Sequence, residues 1–289
     1  NLLQDLVKGT KHRFSSGAIC KSLYRPFTNQ YLYFDRTMNA MVYQMPRLFP
    51  KTGAENLVIM TTAKGAKEFS FTISSAIPDL NSMEAGAQCF PLYLYDEAAR
   101  QADEDEDDLF ASEVDTESQR RNAITDEALA HFQMAYPGEQ ISKEDLFYYV
   151  YGILHSQDYR ERFADNLSKE LPRIPAVKRV ADFWAFSKAG RALADLHLNY
   201  ETVEPYLLTI EAKSKLTDAD YRVEKMKFAK KKDPETGKSV NDRNIVIYNG
   251  KITLKGIPEA AWDYVVNGKA ALDWVMERQA VRTDKASGI

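Results

Sequence analysis

Glu211-Ala212-Lys213 follows an apolar run, and Pro78-Asp79 stands upstream of it. Carboxylates that hold a divalent ion, with a lysine beside the attacking water, are the parts of a metal-dependent nuclease. E-x-K is also a common tripeptide, and a strand over Tyr206 to Ile210 explains its setting without catalysis; the structural reading is favoured. Gly237-Lys238-Ser239 ends like a phosphate loop, but that loop needs a glycine where Lys232 stands, so it reads as a turn. The chain has no Pro-Pro pair, and so lacks the Asn/Asp-Pro-Pro-Tyr/Phe loop that holds a flipped base for amino methylation. It has no GxGxxG loop either. His12, His131, His155 and His197 show no metal-ligand spacing, and His197 between Leu196 and Leu198 reads as a core or capping histidine. Ser156 and Ser187 have no base implied nearby, so no catalytic residue and no metal ligand is assigned.

Recognition remains. Arg, Lys, Asn and Gln read base edges, while Lys, Arg and backbone amides hold phosphates. Arg25, Asn29, Gln30 and Arg36 occupy turn-like positions, and Lys64 and Lys67 flank Gly65, where a backbone can approach a phosphate closely. Lys230, Lys231, Lys232 and Lys238 are expected in a loop with Pro234 and Gly237. Arg25 precedes Pro26, which favours an extended backbone, and pairing with a buried carboxylate stands slightly ahead of base contact for it. The lysine run reads either as a solvated hairpin tip or as a groove probe. Arg160, Arg162 and Arg173 read as interhelical pairs or as contacts to a larger protein.

The elements that must position these residues follow a β–α–β–α order. Tyr31–Phe34, Met41–Gln44, Leu57–Met60, Glu68–Ile73 and Phe90–Tyr95 are short aromatic or β-branched runs separated by Asn, Pro and Gly, and predict strands. Thr125-Asp126-Glu127 predicts a cap before a helix over Ala128 to Tyr136. Ser142 with Asp145 three positions on resembles a capping box opening Leu146 to Leu154. Val177 to Leu198 has a helical apolar rhythm. Strands are predicted again over Tyr206–Ile210, Tyr221–Phe228, Ile245–Tyr248 and Ile252–Leu254, then a helix from Pro258 through Val266 and another over Ala270 to Val281. The expected fold class is α+β, two mixed β-containing subdomains around a helical middle: a β-rich part over 1–95, an acidic mobile loop over 96–120, helices over 121–200 and an α+β part over 201–289.

The net charge of −4 conceals a partition. Asp96 to Glu117 holds eleven acidic residues and one arginine, so it carries −10, which leaves +6 for the rest of the chain. A mildly basic body permits a nucleic-acid partner without demanding one. Two cysteines without a CxxC pair argue against a zinc ribbon or disulfide scaffold and fit a reducing cytoplasm. No apolar run approaches membrane-spanning length. The chain begins at Asn1 and stops at Ser287-Gly288-Ile289, which reads as a segment of a longer protein.

Five segments, in order along nearly the whole chain, resemble the C-terminal specificity region of type ISP restriction-modification enzymes. They are Tyr24-Arg25-Pro26-Phe27 with Tyr31 to Asp35; His155-Ser156 with Tyr159 to Phe163, running into Leu171-Pro172-Arg173-Ile174-Pro175; Ala194 to Tyr200; Tyr221 to Met226; and Trp262 through Asn267-Gly268 to Trp274-Val275-Met276. The resemblance implies a bacterial, cytoplasmic polypeptide that carries a nuclease, a helicase-type motor and an adenine methyltransferase before this region. It implies S-adenosylmethionine, ATP and magnesium as cofactors of that larger protein, none for this segment, and double-stranded DNA as the partner. The acidic strip departs from the pattern. A protein–protein docking module for the methyltransferase or motor, and more remotely a metal-dependent nuclease, are the alternatives.

Overall fold

A computed structural model of the chain describes residues 2–35, 37–39, 41–95, 120–223, 225–281, 283, 285, 286 and 288. The acidic run expected as a mobile loop lies outside them, as does Arg36. The fold is α+β, and internal contacts divide it into two units: Asn1–Arg25 with Asn29–Thr202, and Pro26–Thr28 with Val203–Ile289.

The first unit opens with α1 (Leu2–Lys8), β1 (Ile19–Arg25) and β2 (Thr28–Tyr33), then α2 (Met45–Leu48), β3 (Val58–Thr62), β4 (Phe71–Ser74), β5 (Ile77–Pro78), β6 (Ala87–Pro91), β7 (Tyr93–Tyr95) and β8 (Arg120–Asn122). One sheet has the order β2-β1-β5, with β5 parallel to β1. A second, antiparallel, has the order β4-β3-β6. Every residue of β3 is buried, which is why its sequence shows a continuous apolar run rather than alternation. The strand predicted over Met41–Gln44 does not form. Met41 and Tyr43 take φ of 57° and 48°, incompatible with a pleated strand, and α2 follows directly with Pro46 in its first turn.

The helical part comprises α3 (Asp126–Ala135), α4 (Lys143–Leu154), α5 (Gln157–Arg162), α6 (Ala164–Leu167) and α7 (Val180–Leu198). Both predicted caps are present. Thr125 Oγ1 accepts from the Ala128 amide at 3.2 Å, and Ser142 and Asp145 form a reciprocal box. Helices α4 and α7 meet at glycines. A Cβ on Gly190 would overlap the Tyr148 carbonyl oxygen and lie 2.7 Å from the Gly152 nitrogen; one on Gly152 would overlap the Phe186 carbonyl oxygen. Around this crossing Tyr149 stacks on Phe183 with centroids 4.7 Å apart, and Phe132 and Tyr136 complete an aromatic core. Three tyrosine hydroxyls bind one extended segment: Tyr159 donates to the Arg173 carbonyl at 2.9 Å, Tyr149 to Pro175 at 2.5 Å and Tyr136 to Val177 at 2.7 Å. Alternate carbonyls of a proline-containing stretch that cannot pair in a sheet are thus satisfied.

His155 and His197, far apart in sequence, lie with ring centroids 5.4 Å apart. The Tyr151 hydroxyl meets His197 Nδ1 at 2.7 Å, and Phe71 of β4 packs edge-on against His155. Burial, with the neighbouring His155, holds the His197 imidazole down to about 4, and burial lowers His155 as well.

The second unit contains β9 (Thr209–Ala212), β10 (Lys227–Lys232), β11 (Ser239–Ile247), β12 (Ile252–Lys255), β13 (Val265–Val266), β14 (Lys269–Ala270) and α8 (Ala271–Arg278). Its antiparallel sheet has the order β10-β11-β12-β9. Val246, Ile257, Trp262 and Ala270 form its core. The helix predicted from Pro258 through Val266 is only a 3-10 turn over Glu259–Trp262. Asn267 and Gly268, at φ of 51° and 70°, make the tight turn of a β13–β14 hairpin, and a hairpin requires extended residues where the helix was expected.

Gly190→Ala is expected to destabilise the chain by about 1–3 kcal/mol in urea denaturation, because backbone overlap outweighs the roughly 1 kcal/mol that alanine normally gains in a helix. The histidine pair sets a pH response. Its imidazoles titrate lower when folded, so their contribution is complete above about 6.5 and is lost as pH falls towards 4. Stability measured by urea midpoint should fall across that window, and His197→Gln should flatten the fall.

Candidate nucleic-acid interface

Strands β10 and β11 form a ribbon whose tip is fixed by its own side chains. Asp233 Oδ1 accepts from the Glu235 amide at 3.1 Å, the Thr236 amide at 2.7 Å and the Thr236 hydroxyl at 2.8 Å. These bonds hold the Asp233 carboxyl below the usual range, so it stays ionised as the acceptor of the turn. Gly237 at φ 65° completes the reversal, so Gly237-Lys238 belongs to a turn, as expected, and Ser239 opens β11.

Lys230, Lys231 and Lys232 are therefore strand residues and not loop residues; only Lys238 is in the turn. A signal for the strand was in the sequence as far as Phe228, since Lys225-Met226-Lys227-Phe228 alternates; the lysine run that follows does not alternate. Register pairs Lys230 with Asn241, Lys231 with Val240 and Lys232 with Ser239. The pleat places Lys230, Lys232, Ser239 and Asn241 on one face, all exposed, with Lys230 Nζ donating to Asn241 Oδ1 at 2.6 Å. Lys231 lies on the other face and pairs with Asp242 at 3.4 Å. At the base of the ribbon Arg222, Lys225 and Lys227 surround a concavity of about 440 Å³ and have no ion pair among the described residues. Lys251 beside them is bound by Asp220, whose carboxyl this lysine and Thr217 hold down to about 2. Sequence reasoning missed Arg222, Lys225, Lys227 and Asn241 as candidates; only the register brings Asn241 beside Lys230.

In the first unit Arg25 ends β1. Its guanidinium donates to Asp79 Oδ1 at 2.8 Å and lies 4.0 Å over the Tyr24 ring. A carboxylate is the partner expected for it, although Asp79 is partly exposed rather than buried. Asp79 also caps the 3-10 turn Leu80–Ser82. Asn29 and Gln30 lie on β2, Gln30 exposed and Asn29 half-buried. Lys64 and Lys67 are exposed in the β3–β4 turn around Gly65, which has a φ of 96° and open space where a side chain would stand. Lys67 donates its amide to Glu84. The tripeptide Glu211-Ala212-Lys213 is an exposed edge in which Glu211 pairs with Lys255 at 2.6 Å across the β9–β12 ladder. Among the described residues no group of three or more His, Cys, Asp or Glu converges on a point, and burial pushes the Cys89 thiol up to about 12.

Fold and site together define an α+β module that carries exposed lysines on a preformed ribbon. The sequence matches the Type ISP C-terminal specificity domain over residues 1–289, and the chain belongs to that family. Three solved structures resemble it throughout. The ATP-dependent Type ISP restriction-modification enzyme LlaBIII bound to DNA is 34% identical with a TM-score of 0.78, covering 100% of this chain and 17% of its own. A nuclease-deletion mutant of the Type ISP restriction-modification enzyme LlaGI, in complex with a DNA substrate mimic, is 35% identical with a TM-score of 0.73, covering 99% and 22%. A DrdV–DNA complex is 34% identical with a TM-score of 0.80, covering 98% and 26%. This chain thus spans about a quarter or less of the length of each. No curated protein matches it.

If the Arg25–Asp79 pair and the Asp79 cap are both formed in solution, Asp79→Ala should cost about 1 kcal/mol of stability in chemical denaturation. An unchanged midpoint would leave Arg25 available for a base.

Proposed function

We propose that this chain is the DNA target-recognition part of a larger restriction-modification polypeptide, and that the β10–β11 ribbon is an element it lays against the duplex. The observation that carries the reading is the sorting of charge on the ribbon: one face exposes Lys230, Lys232, Ser239 and Asn241, while Lys231 on the other is neutralised by Asp242. A two-stranded ribbon fits the major groove, and ammonium groups suit phosphates and acceptor atoms there. Membership of a specificity-domain family and likeness to enzymes solved with DNA support it. In this reading Lys64, Lys67 and Lys238 hold backbone phosphates, and Asn29 and Gln30 remain candidates for base edges. Methylation and cleavage belong to other parts of the polypeptide: an adenine methyltransferase using S-adenosylmethionine, a helicase-type motor using ATP, and a nuclease using magnesium.

One feature of the first unit favours the docking alternative there. A cleft of about 870 Å³ is lined mostly by apolar residues, with the amides of Asn39, Gln44 and Gln88 among them and Asp79 its sole charge among the described residues, and Met41 and Tyr43 stand exposed on it. Such a surface suits protein better than phosphate.

Salt-titrated binding to cognate and unrelated duplexes tests the main reading. Replacing Lys230 and Lys232 together by Gln should weaken both, and should lower the slope of log K against log salt by roughly 2, about 0.9 for each phosphate no longer neutralised. Lys231→Gln should change the slope little. A docking module would show no salt-dependent duplex binding at all.

A further inference from the structure

We infer that the face of the ribbon carrying Lys230 and Asn241 reads guanine, which deepens the target-recognition reading above and rests on it. An ammonium group has three donors and no acceptor. Lys230 can therefore meet Asn241 only at Oδ1, and the 2.6 Å contact fixes which way the Asn241 amide points. Its NH2 group is turned from the lysine, and one Oδ1 lone pair is occupied. Lys232, two residues further along the same face, adds another ammonium. The outer part of this face is thus rich in donors: two ammonium groups, an oriented amide NH2 and the Ser239 hydroxyl, which donates as well as accepts, with no carboxylate among them. Asp242 is on the opposite face against Lys231, and the two carboxylates that line one concavity with Lys230 and Asn241 are already paired, Asp273 with Arg243 at 3.0 Å and Glu277 with Lys269.

In the major groove guanine offers N7 and O6, two adjacent acceptors and no donor. Cytosine offers a donor, adenine one of each, and thymine one acceptor beside a methyl group. A donor array matches guanine best and meets cytosine donor to donor, so discrimination arises from repulsion as well as attraction. Lys230 acts twice, as a donor in its own right and as the group that orients Asn241.

The test uses the 289-residue chain and a pool of duplexes with a randomised centre, bound, recovered and sequenced. The enriched sequence is then remade with 7-deazaguanine, which lacks N7, at each guanine in turn. At one or more guanines the wild type should lose roughly 5- to 150-fold in affinity, and Asn241→Asp or Lys230→Gln should lose little more there than it has already lost. Asn241→Asp places an acceptor on the face and should shift the enriched base at that position from guanine towards cytosine or adenine. Melting curves confirm that these exposed substitutions leave the fold intact. If both variants enrich the wild-type sequence and keep its 7-deazaguanine sensitivities, while Lys230→Gln with Lys232→Gln still lowers the salt slope, the guanine inference fails and the target-recognition reading stands. If that double variant leaves affinity and slope unchanged on every duplex, or if the wild type enriches no sequence, both fail.

Discussion

Gly152 and Gly190 meet where α4 and α7 cross, and the first unit depends on how closely they do so. With a side chain at either position the two backbones would have to separate. The aromatic core is built to that spacing: Tyr149 and Phe183 are fully buried, one from each helix, and stack on each other. The same approach places Tyr151 of α4 against His197 of α7, and leaves the hydroxyls of Tyr136, Tyr149 and Tyr159 directed at the carbonyls of the segment preceding α7. Burial pushes the Tyr149 hydroxyl well up, so it stays protonated as a donor. Phe71 then packs on Tyr151 and His155, joining the β4-β3-β6 sheet to the helices.

The second unit has a smaller core and uses carboxylates to shape its surface. Asp233 closes the ribbon tip, Asp220 binds Lys251, Asp242 binds Lys231 and Glu211 binds Lys255. Each removes a cation from the surface or orders a turn. On and beside the ribbon, the cations outside ion pairs among the described residues include Arg222, Lys225, Lys227, Lys230, Lys232 and Lys238. A lysine count alone does not separate one face of the ribbon from the other; the pairing pattern does. Surface pairs of this kind contribute little to stability, roughly 0–1 kcal/mol each, so their effect is on where positive charge is offered.

Local signals were legible in the sequence. Thr125 and Ser142 announce their helices because capping chemistry acts over three residues, and the apolar run of β3 announces a buried strand. The ordered family segments were legible too, and carried the functional reading further than composition did. What depended on long-range pairing was not. Asn241 has no distinguishing neighbour in sequence and becomes notable only through register with Lys230. His155 and His197 meet across a helix crossing set by two glycines that look unremarkable in a linear reading. At Met41–Gln44 the start of α2, with Pro46 in its first turn, overrides the short aromatic and β-branched run that suggests a strand, and after Pro258 the Asn267-Gly268 turn governs the stretch where a helix is expected.

Lysine footprinting tests the central claim most directly: reductive methylation of the chain with and without a duplex it binds, read by mass spectrometry at each lysine. Lys230 and Lys232 should become protected by the duplex, with Lys225 and Lys227 following. Lys231 on the opposite face and Lys143, paired with Asp126 beside α3, should react as before. Unchanged reactivity at Lys230 and Lys232 under a saturating duplex would contradict the account and place the DNA elsewhere on the protein.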